Sequence, residues 1–196
     1  MRKMIPLAAL AMLAMMVSVA RAEDKQLKPG DVAPAFSLQD QNGKTVSLAD
    51  LKGKTVVLEW FNEDCPIWRR TYEQDIIPKT FSKHKDEVVW LAINSTQKKT
   101  NESNKAAAAK FKIDRPILND ADGTVGHAYA AKNTPQMFII DKEGKIAYNG
   151  GIDNDPQGEK TEKINYVSKA LAEMAAGKPV SEPMTTPYGC SVKYAK

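Results

Sequence analysis

Short apolar runs separated by polar or amphipathic stretches dominate this chain after its first 22 residues. Three near-continuous apolar runs are typical of strands buried on both faces of a sheet, and they lie at residues 55–61, 88–93 and 136–141. Shorter strand-like segments at 35–38 and 45–47 flank Asn42-Gly43, a dipeptide that favours a hairpin turn. The pattern therefore predicts an N-terminal β-hairpin followed by a buried sheet.

Helix-forming stretches lie between these strands. The pattern predicts four helices, at residues 66–81, 101–111, 123–129 and 159–176. The first bends near Pro78, and the last ends at Gly177. A single helical turn at 48–51 and short strands at 117–119 and 146–149 complete the order. Strands that alternate with helices in this way predict one α/β domain with a mixed central β-sheet.

The first 22 residues predict a secretory signal peptide. A basic start precedes an apolar run at 5–19, and Ala20-Arg21-Ala22 matches a small-x-small cleavage site. We therefore expect export to the periplasm, with no membrane span after cleavage. Residues 23–196 contain 25 basic and 24 acidic residues, a balance that gives no reason to expect nucleic-acid binding.

Cys65 lies where the first buried strand gives way to a helix. A thiol there faces unpaired backbone N–H groups and the positive end of the helix dipole, which favour the thiolate. Pro66 suits the first helical position because its missing N–H is not needed there. Arg69, one turn along the helix, favours the thiolate further, whereas Glu63 and Asp64 oppose it by charge repulsion. We expect a reactive thiol, and the alternative is an inert buried cysteine.

Cys190 is the only other cysteine, so an oxidising compartment permits one intramolecular disulfide. A predicted turn at 186–189 presents Cys190 on a tail beyond the last helix. Cys190 is either a resolving thiol for Cys65 or half of a permanent disulfide that fastens the tail. The two histidines, His84 and His127, are isolated, so we expect no metal site and no cofactor.

Several motifs, in the correct order, resemble the redoxin superfamily. The motifs that carry the resemblance lie at residues 29–38, 42–48 and 133–141. This superfamily groups alkyl hydroperoxide reductase/thiol-specific antioxidant (AhpC/TSA) proteins with exported thioredoxin-like proteins. The resemblance spans about residues 29–176 and implies a thioredoxin-like fold over 23–178, with a mixed central sheet flanked by helices. Residues 179–196 form a C-terminal tail in this interpretation.

The tail and the region around Cys65 refine the resemblance. The motif Gly-Cys-Ser-x-Lys-aromatic at 189–194 is similar to the end of one branch of exported redoxins. Thioredoxins carry a second cysteine where this chain has Trp68, so Cys65 cannot use a local dithiol. Peroxiredoxins carry proline and threonine where this chain has Leu58 and Asn62, which argues against efficient peroxidase activity, although Asn62 can still offer hydrogen bonds.

The resemblance also implies roles for individual residues. Thr134-Pro135 is expected to be cis and to lie beside Cys65, with the Thr134 backbone open to an extended peptide. Thioredoxins place a buried acid at the offset of Glu59, where it transfers a proton and has a raised pKa. The alternative for Glu59 is a partly exposed carboxylate paired with a lysine. The substrate-binding candidates are Thr134, Pro135, Pro66, Trp68, Asn62 and Arg69.

These expectations lead to an exported thiol–disulfide oxidoreductase in which Cys65 attacks, Cys190 resolves and Glu59 handles the proton. The expected partners are protein thiols and disulfides, together with an unidentified reductant protein. The first alternative is a peroxidase, in which a hydroperoxide oxidises Cys65 to a sulfenic acid that Cys190 condenses with. The second is a non-catalytic binding module with a structural Cys65–Cys190 disulfide.

Overall fold

The computed structural model describes residues 26–195, so the signal peptide expected at 1–22 lies outside the described residues. The strands of the described chain are β1 Ser37–Gln39, β2 Thr45–Ser47, β3 Val56–Trp60, β4 Val89–Asn94, β5 Ile117–Asn119, β6 Asn133–Thr134, β7 Gln136–Ile140, β8 Ile146–Gly150 and β9 Cys190–Ser191. Its helices are α1 Pro66–Glu73, α2 Ile76–His84, α3 Asn101–Phe111, α4 Thr124–Ala128 and α5 Tyr166–Ala175, with a 3₁₀ turn at Leu48–Leu51.

β3 forms the centre of a five-stranded sheet with the order β5-β4-β3-β7-β8. It runs parallel to β4 and antiparallel to β7, so Leu58 lies opposite Leu91 on one side and Phe138 on the other. Every residue of β3 is buried, as its near-continuous apolar sequence predicts. The predicted mixed α/β sheet is therefore confirmed, and so is the N-terminal hairpin formed by β1 and β2.

The two faces of β3 are covered by different elements, because successive side chains of a strand point to opposite sides. Val57 packs in a cluster with Trp68 of α1 and Leu171 of α5. Leu58, on the other face, packs with Phe36 and with Tyr129, which follows α4. The helices therefore flank the sheet and exclude water from both of its faces.

The predicted helix at 66–81 consists of two helices. The chain turns at Asp75, whose φ of 60° lies in the left-handed region, and α2 starts at the next residue. Pro78 then occupies the first turn of α2, where a missing N–H leaves no hydrogen bond unmade. The bend predicted near Pro78 therefore exists, but it lies three residues before the proline.

The last helix is shorter than predicted, because it begins at Tyr166 rather than at residue 159. Asp155 accepts hydrogen bonds from the backbone N–H groups of Gly158 and Glu159, and this holds the preceding segment in a loop. Asn165 then caps α5 by accepting a hydrogen bond from the N–H of Ser168 at 2.8 Å.

The C-terminal segment lies along the domain and makes backbone contacts with it. Met184 forms a bridge to Asn149 of β8, and β9 pairs antiparallel with β6. The pairing of β6 with β9 is absent from the sequence prediction, since two-residue strands carry no periodic signal. None of the helices formed by residues 26–195 has the length and apolar character needed to cross a membrane.

The central strand offers a matched test of where stability comes from. Val57 is 0 % exposed and Val32 is 75 % exposed. We expect Val57→Ala to lower the free energy of unfolding by about 2 kcal/mol, because it removes buried methyl groups and leaves a cavity. Val32→Ala should change it by less than about 0.5 kcal/mol. Urea unfolding measures both, and equal losses would contradict the packing described here.

Candidate active site

Cys65 lies at the N-cap of α1, immediately after the turn that leaves β3. Asn62 shapes that turn, since its side-chain oxygen accepts from the N–H of Asp64 and its carbonyl accepts from the N–H of Cys65. The sulfur of Cys65 accepts a hydrogen bond from the N–H of Trp68 at 3.4 Å. Pro66 occupies the first helical position, as its sequence position predicts. The turn thus places Cys65 at the start of α1, where the backbone N–H of Trp68 donates to its sulfur.

The loop before β7 lies against the sulfur of Cys65. The Thr134–Pro135 peptide bond is cis, which confirms the geometry that the resemblance implies. Cys65 Sγ lies 3.0 Å from the carbonyl oxygen of Thr134, to which the thiol form donates. Thr134 and Pro135 are both buried, and Cys65 itself is only 1 % exposed.

Strand β9 brings the second cysteine to the same place. Cys190 pairs with Thr134 across the two-stranded β6–β9 sheet. Its side chain lies close to that of Cys65, and both cysteines are free thiols in this structure. The tail thus brings Cys190 close to Cys65, a proximity that the sequence left open, although 124 residues lie between the two cysteines in the chain.

The two thiols differ in acidity. Burial raises the pKa of Cys65, but hydrogen bonds from the Cys190 thiol, the Trp68 N–H and the Thr134 side chain outweigh burial and hold the pKa below its usual value. The carbonyl of Thr134 accepts a hydrogen bond only from the protonated thiol of Cys65 and so favours that form. This single acceptor is outweighed by the donors that favour the thiolate. Burial raises the pKa of Cys190, and the hydrogen bond to Cys65 and the negative charge there raise it further. Cys65 is therefore the more acidic thiol of the pair and Cys190 the less acidic one.

Glu59 is fully buried beneath this site, and both of its carboxylate oxygens are hydrogen-bonded. Oε1 accepts from the indole N–H of Trp68 at 2.7 Å. Oε2 accepts from the indole N–H of Trp90 at 2.9 Å and from Arg115 at 2.7 Å. Glu59 is thus paired with the buried Arg115, and the alternative of a partly exposed carboxylate paired with a lysine is wrong. This arrangement suits a fixed anion that positions Trp68, and the proton-transfer role of Glu59 stays a prediction.

The charges around Cys65 are arranged differently from the sequence expectation. Arg69 donates to the carbonyl of Glu63 at 3.0 Å, and the hydrogen bonds that lower the pKa of Cys65 come from other residues. Lys99 forms ion pairs with Glu63 at 2.6 Å and with Asp64 at 2.7 Å, which offsets the repulsion that these two acids exert on a thiolate.

The remaining substrate-binding candidates occupy different environments. Trp68 is 0 % exposed, its backbone N–H donates to the sulfur of Cys65, and its indole N–H donates to Glu59. Asn62 is buried and Pro66 is exposed at the surface beside Cys65. The structure thus gathers Cys65, Cys190, Thr134 and Pro135 at one point, while substrate contacts by the other candidates stay predictions.

Sequence reasoning missed three residues that shape the site, which are Trp90, Lys99 and Arg115. A signal for Lys99 existed, because the loops that follow adjacent parallel strands emerge at the same edge of the sheet. No local pattern singles out Trp90 or Arg115. Within residues 26–195, no three histidine, cysteine or acidic side chains are grouped so that they could hold a metal ion.

The thiol pair predicts how each cysteine titrates when the other is removed. We expect Cys190→Ala to raise the pKa of Cys65, because the thiol of Cys190 no longer stabilises its thiolate. Cys65→Ala should lower the pKa of Cys190, because the neighbouring negative charge disappears. Absorbance of the thiolate at 240 nm against pH measures both, and an unchanged Cys65 curve would contradict the pairing.

The buried ion pair predicts an asymmetric response to substitution. Glu59→Gln should lower the free energy of unfolding by about 3–5 kcal/mol, because it leaves the charge of Arg115 buried without a partner. Adding Arg115→Met to Glu59→Gln should restore most of this stability. Urea unfolding of the single and double variants provides the measurement. In the double variant, an unchanged reaction of Cys65 with a disulfide would exclude Glu59 from proton transfer.

Comparison with known proteins agrees with this geometry. The AhpC/TSA family profile matches residues 29–149. Thiol-disulfide oxidoreductase ResA of Bacillus subtilis (strain 168) is 29 % identical over 126 residues, which cover 64 % of this chain and 68 % of that protein. Chloroplastic peroxiredoxin Q of Triticum aestivum is 29 % identical over 138 residues, covering 63 % and 58 % of the two chains.

Solved structures show the same fold. The thioredoxin domain of a thiol–disulfide oxidoreductase from Bacteroides vulgatus superposes with a TM-score of 0.53 and 28 % identity, covering 62 % of this chain and 86 % of that one. The named relatives are thiol–disulfide oxidoreductases and peroxiredoxins, which places this chain among thiol-dependent redox enzymes. The matched residues include β3, Cys65 and the cis-proline loop, so the chain belongs to the AhpC/TSA family of the thioredoxin-fold redoxin superfamily.

Proposed function

We propose that this protein is an exported thiol–disulfide oxidoreductase in which Cys65 and Cys190 form the redox pair. The observation that carries the proposal is that β9 pairs Cys190 with Thr134, whose carbonyl lies 3.0 Å from Cys65 Sγ, so that the two thiols lie together. Their contact lowers the pKa of Cys65 and raises that of Cys190. A thiolate beside a protonated thiol is the arrangement that attack followed by resolution requires.

The reaction has two exchange steps. The Cys65 thiolate attacks one sulfur of a substrate disulfide, the substrate S–S bond breaks, and the first substrate thiol leaves with a proton from solvent. Cys190 then loses its proton and attacks Cys65 Sγ in the mixed disulfide, which releases the second substrate thiol. The substrate gains two electrons and the enzyme ends as a Cys65–Cys190 disulfide. A reductant protein with a dithiol then attacks the sulfur of the partly exposed Cys190, releases Cys65 as a thiolate, and returns the pair to the reduced state as its own two thiols form a disulfide.

Cys190 replaces the local second cysteine that Trp68 excludes. Its pairing with Thr134 fixes its backbone beside Cys65, so resolution needs no long movement of the tail. Its raised pKa keeps Cys190 protonated while Cys65 reacts, which separates the attacking sulfur from the resolving one. The two roles therefore follow from position and acidity together.

Hydroperoxide reduction is the second candidate function, and the similarity to peroxiredoxin Q favours it. A hydroperoxide would oxidise the Cys65 thiolate to a sulfenic acid and leave as an alcohol after taking up a proton. Cys190 would then condense with the sulfenic acid, forming the same disulfide and releasing water. Leu58 and Asn62 replace the proline and threonine of peroxiredoxins, which weighs against this candidate.

Export is supported by the apolar run at 5–19 and the cleavage site at 20–22, together with the pair of cysteines that an oxidising compartment suits. Protein recovered from the periplasm should begin at Glu23 by mass spectrometry. Recovery of the full-length chain from the cytoplasm would contradict this part of the proposal.

A redox titration of the mature protein tests the proposed function, with thiol trapping and mass spectrometry as the readout. We expect a Cys65–Cys190 disulfide that opens and closes reversibly between about −120 and −270 mV, the range of catalytic thiol pairs. Cys65→Ser should abolish reaction with disulfides, whereas Cys190→Ser should trap the mixed disulfide on Cys65.

Two other outcomes decide between the alternatives. A bond that stays closed below about −300 mV would identify a structural disulfide and a non-catalytic module. Consumption of hydroperoxide by the reduced protein, faster than its reaction with disulfides, would favour the peroxidase.

A further inference from the structure

Strand β9 occupies the backbone edge that an extended polypeptide would need in order to reach Cys65. Peptides commonly bind by adding a strand to an open edge, and the edge beside Cys65 is that of Thr134. Here Thr134 pairs with Cys190 of the same chain, and Asn133 pairs with Ser191. The sulfur of Cys190 is placed against Cys65 as the cysteine of a bound peptide would be.

The fit between β9 and β6 leaves no room for a second strand. Gly189 has a φ of +129°, and a Cβ at this position would collide with the carbonyl of Thr134. The side chain of Asn133 donates to the carbonyl of Gly189 at 3.1 Å. This is a further contact between β6 and the residue that precedes β9. Cys65, beneath this contact, is only 1 % exposed.

Hydrogen bonds hold the C-terminal segment that contains β9 on the N-terminal side of Cys190. Thr185 accepts from the N–H of Gly151 at 3.1 Å and shares a hydrogen bond with the hydroxyl of Tyr148. The hydroxyl of Tyr188 donates to Asp153, a residue that is 2 % exposed. These contacts hold the chain against the end of β8 just before it enters β9.

It is also fastened on the C-terminal side. The N–H of Val192 donates to the carbonyl of Lys132 at 3.0 Å, and the N–H of Gln97 donates to the carbonyl of Lys193 at 2.8 Å. The Tyr194 ring fills space that a Cβ at Gly126 would occupy, and its hydroxyl donates to the carbonyl of Ala131 at 2.7 Å. A strand held at both ends is hard to displace by an incoming peptide.

We propose that β9 is a specificity-determining strand that excludes polypeptide disulfides and restricts Cys65 to low-molecular-weight disulfides. A small disulfide needs only to bring one sulfur to Cys65, which a local shift of Cys190 permits. An extended peptide must also take the backbone groups of Thr134 and therefore displace the whole segment. This inference rests on the proposed thiol–disulfide exchange, and the exchange steps are those given above.

Single-turnover kinetics of the reduced mature protein test the inference with two probes. Oxidised glutathione represents small disulfides, and unfolded ribonuclease with scrambled disulfides represents polypeptide disulfides. We expect the unaltered protein to reduce oxidised glutathione at least about tenfold faster, since a polypeptide must first break several hydrogen bonds of the segment.

Two variants are designed to loosen the segment while both cysteines are kept. Gly189→Ala places a Cβ against Thr134, and Tyr194→Ala removes the ring that anchors the end of the segment. Both should raise the ratio of the rate with scrambled ribonuclease to the rate with glutathione by about tenfold, because a change in the pKa of Cys65 that follows movement of Cys190 affects both probes alike. Gly30→Ala is the matched control, because Gly30 has a φ of +90° and open space around it. Tyr194→Phe is the control for Tyr194→Ala, because it keeps the ring and removes only the hydroxyl.

Hydrogen exchange at the amides of Gln97 and Val192 reports release of the segment in the same samples. We expect faster exchange in Gly189→Ala and Tyr194→Ala than in their controls. Unchanged exchange in both variants would contradict the close contact on which the inference rests. If the segment is released but the rate with scrambled ribonuclease does not rise relative to the rate with glutathione, the inference is also overturned.

The outcomes separate this inference from the proposed function. Equal rates with both probes in the unaltered protein would overturn the role of β9 and leave thiol–disulfide exchange intact. Failure to reduce either probe, together with a Cys65–Cys190 pair that does not titrate, would overturn the exchange reaction and the inference with it.

Discussion

The carboxylate of Glu59 is the contact on which the geometry of the site depends. It lies in the central strand, and its two oxygens bind the indole N–H groups of Trp68 and Trp90 and the guanidinium of Arg115. A buried carboxylate without partners would be strongly destabilising, so these donors must stay in place for the protein to fold. Trp68 is thereby fixed, and its backbone N–H is held at the sulfur of Cys65.

Two segments that are far apart in the sequence form the surroundings of the Cys65 thiol. The start of α1 supplies the backbone N–H of Trp68, while β9, which pairs with Thr134, supplies the second thiol. The hydrogen bond between Cys65 and Cys190 makes one thiol more acidic and the other less so. A strand contact thus supplies the second thiol that thioredoxins carry in the first turn of a helix.

The same strand that supplies Cys190 also covers Cys65. In a dithiol on a helix, the resolving cysteine leaves the neighbouring backbone edge open, but here Cys190 arrives on a strand that uses this edge. In the proposed reaction, the resolving thiol and the access of substrates to Cys65 therefore depend on the same strand. The closeness of Gly189 to the Thr134 carbonyl shows how little space remains between the two strands.

The sequence alone determined the order of strands and helices, the place of Cys65 at a helix start and the loop at Thr134-Pro135, because hydrophobic periodicity and turn residues are local signals. Only the tertiary structure decided that Glu59 is paired with Arg115, that Lys99 offsets Glu63 and Asp64, and that β9 seats Cys190 beside Cys65. These contacts join residues distant in the chain, and their energies depend on burial and distance, which no local pattern encodes.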